Sequence, residues 1–214
     1  MVFKVSALVL PLLMKDKILN KATNLFLNLG FKSVTMDDLA QEMGISKKTI
    51  YSHFENKSKL VEEVSMNLFW VISNGIDQIV QLQKNPIEEL YEIKRFVMHQ
   101  LKDESTSPIF QLQKYYPKIY HTIRDKQFEV MQHCVVENLK RGVAMGIYRA
   151  NLDVTFVARI YFLGVNNLKD QTYFPSNKFT MTHLMDNFLE YHLRGIVTPE
   201  GRKILNSIIN SNQQ

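Results

Sequence analysis

Seven consecutive residues, Lys47 to His53, bring together two ammonium groups, three hydroxyls and an imidazole without one carboxylate. A protein face meant only for water usually mixes its charges. This one suits a polyanion, whose phosphate oxygens accept from each of those groups. No competing chemistry stands out. The six histidines and the single cysteine are scattered: His183 and His192 are nine apart, and Cys134 beside His133 has no second partner, so no metal site is expected. Cys134 falls mid-helix among apolar residues and reads as inert. There is no Gly-rich phosphate loop, no His-Glu-x-x-His and no Gly-x-Ser-x-Gly, so neither an enzyme nor a cofactor is expected.

Elements that could present such a face are legible on either side of it. Thr35-Met36-Asp37-Asp38 reads as a capping box, with Thr35 closing a helix N-terminus and Asp38 reaching back. Gly44 stops that short helix by adopting a positive φ, and Ser46 caps a second one, Lys47 to His53. Ala40 is small enough for the two helices to cross closely. Leu39, Met43, Ile45, Ile50 and Phe54 would pin the pair to its neighbours. What remains outward is Lys47, Lys48, Thr49, Tyr51, Ser52 and His53. Asn56 then opens a long helix to about Gln83, with Leu60, Val64, Leu68, Val71, Ile72, Ile76 and Ile79 on its inner side.

The string Thr35-Met36-Asp37-Asp38-Leu39-Ala40, then Gly44-Ile45-Ser46-Lys47-Lys48-Thr49-Ile50-Tyr51-Ser52-His53-Phe54, then Asn56-Lys57-Ser58-Lys59-Leu60, resembles the DNA-binding signature of the tetracycline-repressor (TetR) family. The resemblance implies a sequence-specific, DNA-binding transcriptional regulator, usually a ligand-responsive repressor, acting as a homodimer on double-stranded operator DNA. Carried over by position, it implies that Thr35, Ser46, Tyr51, His53 and Lys57 meet phosphates, and that Lys47, Lys48 and Thr49 approach base edges in the major groove. Phosphate contacts set register and base contacts choose sequence. Lys48 or Lys47 would donate to guanine, and Thr49 would touch a thymine methyl or a phosphate. Packing roles for Tyr51 and His53 are the alternative.

The rest of the chain is a helical series. Lys15 to Leu29 buries Ile18, Leu19, Ala22, Leu25, Phe26 and Leu29 at one-face spacing, and Gly30 ends it. Asn85-Pro86 and Ser107-Pro108 each set a capping side chain before a proline at the first helical position. Pro117 breaks the next segment. Further helices are expected from about Ile123 to Met145, from Val154 to about Asp170 behind Asp153, and from Thr180 to Arg194, ended by Gly195. A last one follows Thr198-Pro199. No stretch alternates at strand period. The fold class expected is all-α: an N-terminal three-helix, helix-turn-helix DNA-binding domain over 14–60, followed by a helical ligand-binding and dimerisation domain over 61–214.

In the family, the last two long helices form the dimer. Here that implies Phe156, Ile160, Tyr161 and Gly164 on one and Leu184 and Phe188 on the other, with Gly164 letting a partner helix approach. Packing within the protomer is the alternative. A ligand pocket between the middle helices, for a small apolar or amphipathic effector, would draw on Trp70, Phe96, His99, Phe110, Tyr115, Tyr120, Phe128 and Met131. The same aromatic residues also suit plain core.

Composition is consistent with this reading and does not decide it. Across 214 residues the net charge is +5, and one cysteine excludes an internal disulfide framework and fits a reducing cytoplasm. Ser6 to Leu13 is nearly all apolar, yet it falls short of the roughly 20 residues that cross a bilayer. Residues 1–13 are expected to be an upstream extension, with Met14 as the natural start. No membrane partner is expected. A helical adaptor, or a lipid- or small-molecule-binding protein without DNA affinity, is the rival reading, and it leaves the cationic face of Lys47–His53 without a purpose.

Overall fold

In the computed structural model the described residues are 9–101 and 108–211, with side chains described over 13–101 and 109–211. They form helices α1 (Val9–Leu29), α2 (Met36–Met43), α3 (Lys47–Tyr51), α4 (Lys57–Gln81), α5 (Pro86–Gln100), α6 (Pro108–Tyr115), α7 (Pro117–Ala144), α8 (Val154–Asn167), α9 (Met181–Ile196) and α10 (Pro199–Ser211). Among the described residues the one extended pairing is an isolated bridge, Tyr148 with Val197. The chain is all-helical. Most of the expected segment 1–13, and Ser107 as a cap, lie outside the described residues.

Several boundaries differ from expectation for local reasons. Helix α1 starts at Val9, so Pro11 falls in its first turn, where a missing N–H costs no hydrogen bond. Pro117 begins α7, six residues earlier than expected, because its fixed φ suits a first helical position. Gly195 lies inside α9, which runs on to Ile196 and stops before Pro199. On α1, Leu29 is exposed and Leu27 buried. Past Gly30 the chain folds back, and Phe31 packs on Phe26 at 5.1 Å, in the place Leu29 was expected to fill. On α4, Val71 is exposed while Phe69 and Ser73 turn inward.

The described residues gather into two compact units. One takes 9–70 and 108–123, the other 71–101 and 124–211. The first is built on Ile18, Ala22, Phe26, Leu39, Ile50, Phe54, Leu60 and Val64, with Leu112 of α6 buried in the same core. Thus α6 and the start of α7 belong with the N-terminal helices.

The second unit centres on Ile87, Leu90, Leu139, Tyr148, Leu189, Leu193 and Leu205. Within it, α8 and α9 meet through Gly164. A Cβ there would lie 2.2 Å from the Phe188 ring, so only glycine admits that contact. Tyr161 and His192 pack beside the same ring, with the Tyr161 ring 4.9 Å from the imidazole.

Burial in this pocket holds the His192 imidazole down to about 4. A folded-state value below that of the unfolded chain, about 6.5, means the contribution is complete above pH 6.5 and is lost as pH falls. At pH 5 the expected loss is about 2 kcal/mol relative to pH 7.5. Urea unfolding of the parent and of His192→Phe at both pH values checks this. The parent should lose that much more stability than the variant, and equal losses would refute it.

Candidate nucleic-acid interface

Helix α2 is framed at both ends as its sequence requires. Thr35 Oγ1 accepts from Asp38 N at 3.1 Å, and Asp38 Oδ2 accepts from Thr35 N at 2.8 Å, closing the capping box. Hydrogen bonds from the Thr35 backbone and side chain, with Lys57 nearby, hold the Asp38 carboxyl below its usual range. At the other end Gly44 takes φ +63°, Ile45 N donates to Ala40 O and Gly44 N to Gln41 O. That double return is a Schellman motif, and it turns the chain sharply into α3. Ser46 caps α3 by accepting from Thr49 N at 3.0 Å. Ala40, Leu39, Ile50 and Phe54 are buried, and Met43 and Ile45 partly so. The pins expected from the sequence are the pins found.

The rest of α3 faces outward. Lys47, Lys48, Tyr51 and Ser52 are exposed, and Thr49 and His53 are half-buried. The Lys48 ammonium group has no hydrogen bond or ion pair to another described residue. Lys47 differs: its Nζ donates to Asp37 Oδ2 at 2.8 Å, and that hydrogen bond holds its pKa above the usual value. A carboxylate therefore does stand beside this face, supplied by α2. Sequence reasoning missed it, although Asp37 sits in the capping box itself.

Asn56 Oδ1 accepts from Lys59 N and caps α4. Lys57, the first residue of α4, is half-buried, and its Nζ donates to Lys32 O at 3.1 Å. Burial lowers its pKa, against the opposing charge of Asp38. Lys32 was not anticipated either. Only the fold of the α1–α2 turn brings its carbonyl to Lys57, and no local sequence signal announces it.

The remaining expected residues are divided between the two units. Trp70, Phe110, Tyr115 and Tyr120 belong to the first unit, and Phe96, His99, Phe128 and Met131 to the second. Trp70 is half exposed and edge-on to Phe69, and His99 and Phe110 are exposed. Phe96 lies over Gly75. Phe128 packs edge-on against Phe162 at 5.0 Å, and Met131 lies on the second core. Tyr120 leans on the first core. A half-open groove of about 590 Å³ exists in the first unit, between the starts of α4 and α7 and the end of α6. Met66, Tyr116, Ile119 and Ile123 give it an apolar floor, and Tyr115 alone of the eight lines it.

The residues expected at a dimer face divide as well. Tyr161 and Leu184 are buried inside the protomer, and the close approach at Gly164 is taken up by Phe188 of the same chain. Phe156 and Ile160 are exposed, together with Leu163. Burial, with Glu89 nearby, pushes the Cys134 thiol up to about 11, so it stays protonated and unreactive near neutral pH. No group of three or more potential metal ligands occurs among the described residues, nor any helix long and apolar enough to cross a membrane.

Comparison with known proteins agrees with this geometry. Residues 18–64 match the family model of bacterial regulatory proteins, tetR family. The chain is 25% identical over 205 residues, 90% of its length and 95% of the relative's, to the HTH-type transcriptional repressor KstR2 of Mycolicibacterium smegmatis. It is 33% identical over 79 residues, 37% of this chain and 42% of the relative, to IcaR of Staphylococcus aureus, the HTH-type negative transcriptional regulator of the biofilm operon icaADBC. A TetR-family transcriptional regulator from Agrobacterium tumefaciens shares the fold, with a TM-score of 0.70 at 19% identity over 88% of this chain and 100% of that one. With its capped helix pair inside the matched segment and its likeness to KstR2 running nearly end to end, this protein is a DNA-binding transcriptional regulator of the TetR family.

Proposed function

We propose that the protein is a ligand-responsive repressor that binds operator DNA as a homodimer in the cytoplasm, each copy laying α3 in the major groove of one half-site. One observation carries the reading: the first turn of α3 presents an exposed Lys48, its ammonium group without a partner among the described residues, beside Thr49 and Lys47, on a helix pinned from behind by Ile50 and Phe54. In this reading Lys47, Lys48 and Thr49 meet base edges, and Thr35, Ser46, Tyr51, His53 and Lys57 hold the backbone. KstR2 is a transcriptional repressor and IcaR a negative transcriptional regulator, and that supports repression here.

Pairing of two copies is supported by Phe156, Ile160 and Leu163. They recur at spacings of four and three along α8, so they form one exposed apolar stripe. Tyr191 on the neighbouring α9 is exposed too, and a second copy would cover both. An apolar or amphipathic effector would act by binding better to the conformation that fits DNA less well.

Selection of bound duplexes from a random DNA pool tests the core of this. The expected outcome is enrichment of an inverted repeat with half-site centres about 34–36 Å apart. An unenriched pool, with no salt-dependent binding, would leave the helical adaptor reading in its place. A single unpaired half-site would refute the dimer.

A further inference from the structure

The turn between α1 and α2 carries a second collection of ammonium groups, separate from α3. Lys32 Nζ lies 4.6 Å from the centre of the Tyr115 ring and 3.5 Å from its hydroxyl. Lys114 Nζ lies 5.6 Å from the same ring centre and 5.8 Å from that of Phe110. Two cations thus share one exposed aromatic ring. Lys57 Nζ borders the group on the other side, bound to the Lys32 carbonyl.

The support beneath is built, not incidental. Lys32 N donates to Gln111 Oε1 at 3.1 Å. The Gln111 amide fills the space over Gly30, where φ is +88° and a Cβ would lie 2.2 Å from it. Leu112, the next residue of α6, is buried in the core.

Like charges brought together this way repel. A ring at an exposed site offsets only a small part of that repulsion. Four carboxylates of this unit are paired with other lysines: Asp37 with Lys47, Glu42 with Lys21, Glu63 with Lys15 and Glu62 with Lys59. Asp38 is held by Thr35 and faces Lys57. Among the described residues Lys32 and Lys114 have no carboxylate partner. A cation pair seated on one ring, with no carboxylate partner among the described residues, fits an anion supplied from outside. The neighbouring Thr35 and Lys57, read as backbone contacts, say what that anion is.

We propose that Lys32 and Lys114, seated on Tyr115, bind phosphates of duplex DNA flanking the segment read by α3, so that each protomer grips more DNA than its recognition helix covers. This rests on the DNA-binding reading above and extends it to residues outside the helix pair. Lys32 continues the backbone contacts from Thr35 and Lys57, and the Tyr115 hydroxyl adds a third donor beside the two ammonium groups. Such contacts add affinity without base preference, because phosphates carry no sequence information.

The test uses the full chain and fluorescence anisotropy on two duplexes: the selected operator with about ten flanking base pairs per side, and the same operator trimmed to its two half-sites. Lys32→Gln and Lys114→Gln are each expected to lower the slope of log affinity against log salt by about 0.9 per half-site on the long duplex. Neither should change the ranking of operator sequences, and Lys32→Arg should restore the slope. On the trimmed duplex the variants and the parent should bind alike.

Parental slopes on the long duplex in a folded variant carrying both Lys32→Gln and Lys114→Gln would overturn the proposal. So would a fall in thermal stability with the slope intact, which would make the lysines mere fasteners of α6. If the parent binds no duplex at all, it is the regulator reading that fails.

Discussion

Alanine in place of Glu89 is expected to cost about 3–5 kcal/mol of stability, the largest single-residue effect foreseen away from the apolar cores. Glu89 is 1% exposed, and both its oxygens are engaged: Arg141 donates at 2.6 Å and Asn138 Nδ2 at 2.8 Å. The network spreads from there. Asn138 Nδ2 also reaches Pro86 O, Tyr148 donates its hydroxyl to Asn138 Oδ1, and Arg141 donates to Gln83 Oε1. It ties the first turn of α5 to the end of α7 and to the turn after it.

Truncation at Glu89 would leave a partly buried guanidinium with no carboxylate and a buried amide short of one acceptor. Burial also pushes the Tyr148 phenol far above its usual range, so it stays a neutral donor. Urea denaturation reads the effect directly. Replacing the pair together, Glu89→Leu with Arg141→Met, should recover most of the loss, because no charge is then stranded. A cost below about 1 kcal/mol for the single variant would mean that the ion pair is not formed in solution.

The second large effect concerns DNA. Lys48→Ala is expected to weaken the preferred operator by about 1–3 kcal/mol and to relax preference at one or two positions. Lys57→Ala should weaken all sequences alike and reduce the salt slope by about 1. Lys47→Ala should do less than Lys48→Ala, because Asp37 already occupies its ammonium group. Asp37→Asn should tighten binding, since it frees Lys47 and removes a negative charge from beside the phosphates. Binding isotherms on the selected operator and on single-base variants decide each point. Uniform effects from both Lys48 and Lys57 would refute the division between base and backbone contacts.

Much of the candidate site was legible because it is local. The capping box at Thr35, the left-handed Gly44 and the Ser46 cap are each satisfied by atoms within five residues, so residue type and spacing suffice. The pins Leu39, Ile50 and Phe54 follow from helical period alone. Less local features were read less well. The aromatic residues of the middle helices satisfied the same periodicity whether they served as core, surface or pocket, and they are split between the two units.

What the amino-acid string determined unaided is the helix inventory and the character of α3: hydrogen bonds within a helix and its caps close over a few residues, and an outward face is set by a period of 3.6. Only the tertiary structure decided which distant groups meet. It set Asp37 on Lys47, placed Gln111 over Gly30 and Lys32 on Tyr115, and turned Phe188 onto Gly164 of its own chain. Those contacts join residues separated by about 10 to 80 positions. Their existence depends on how cores pack and chains close into loops, and no spacing along the sequence encodes that.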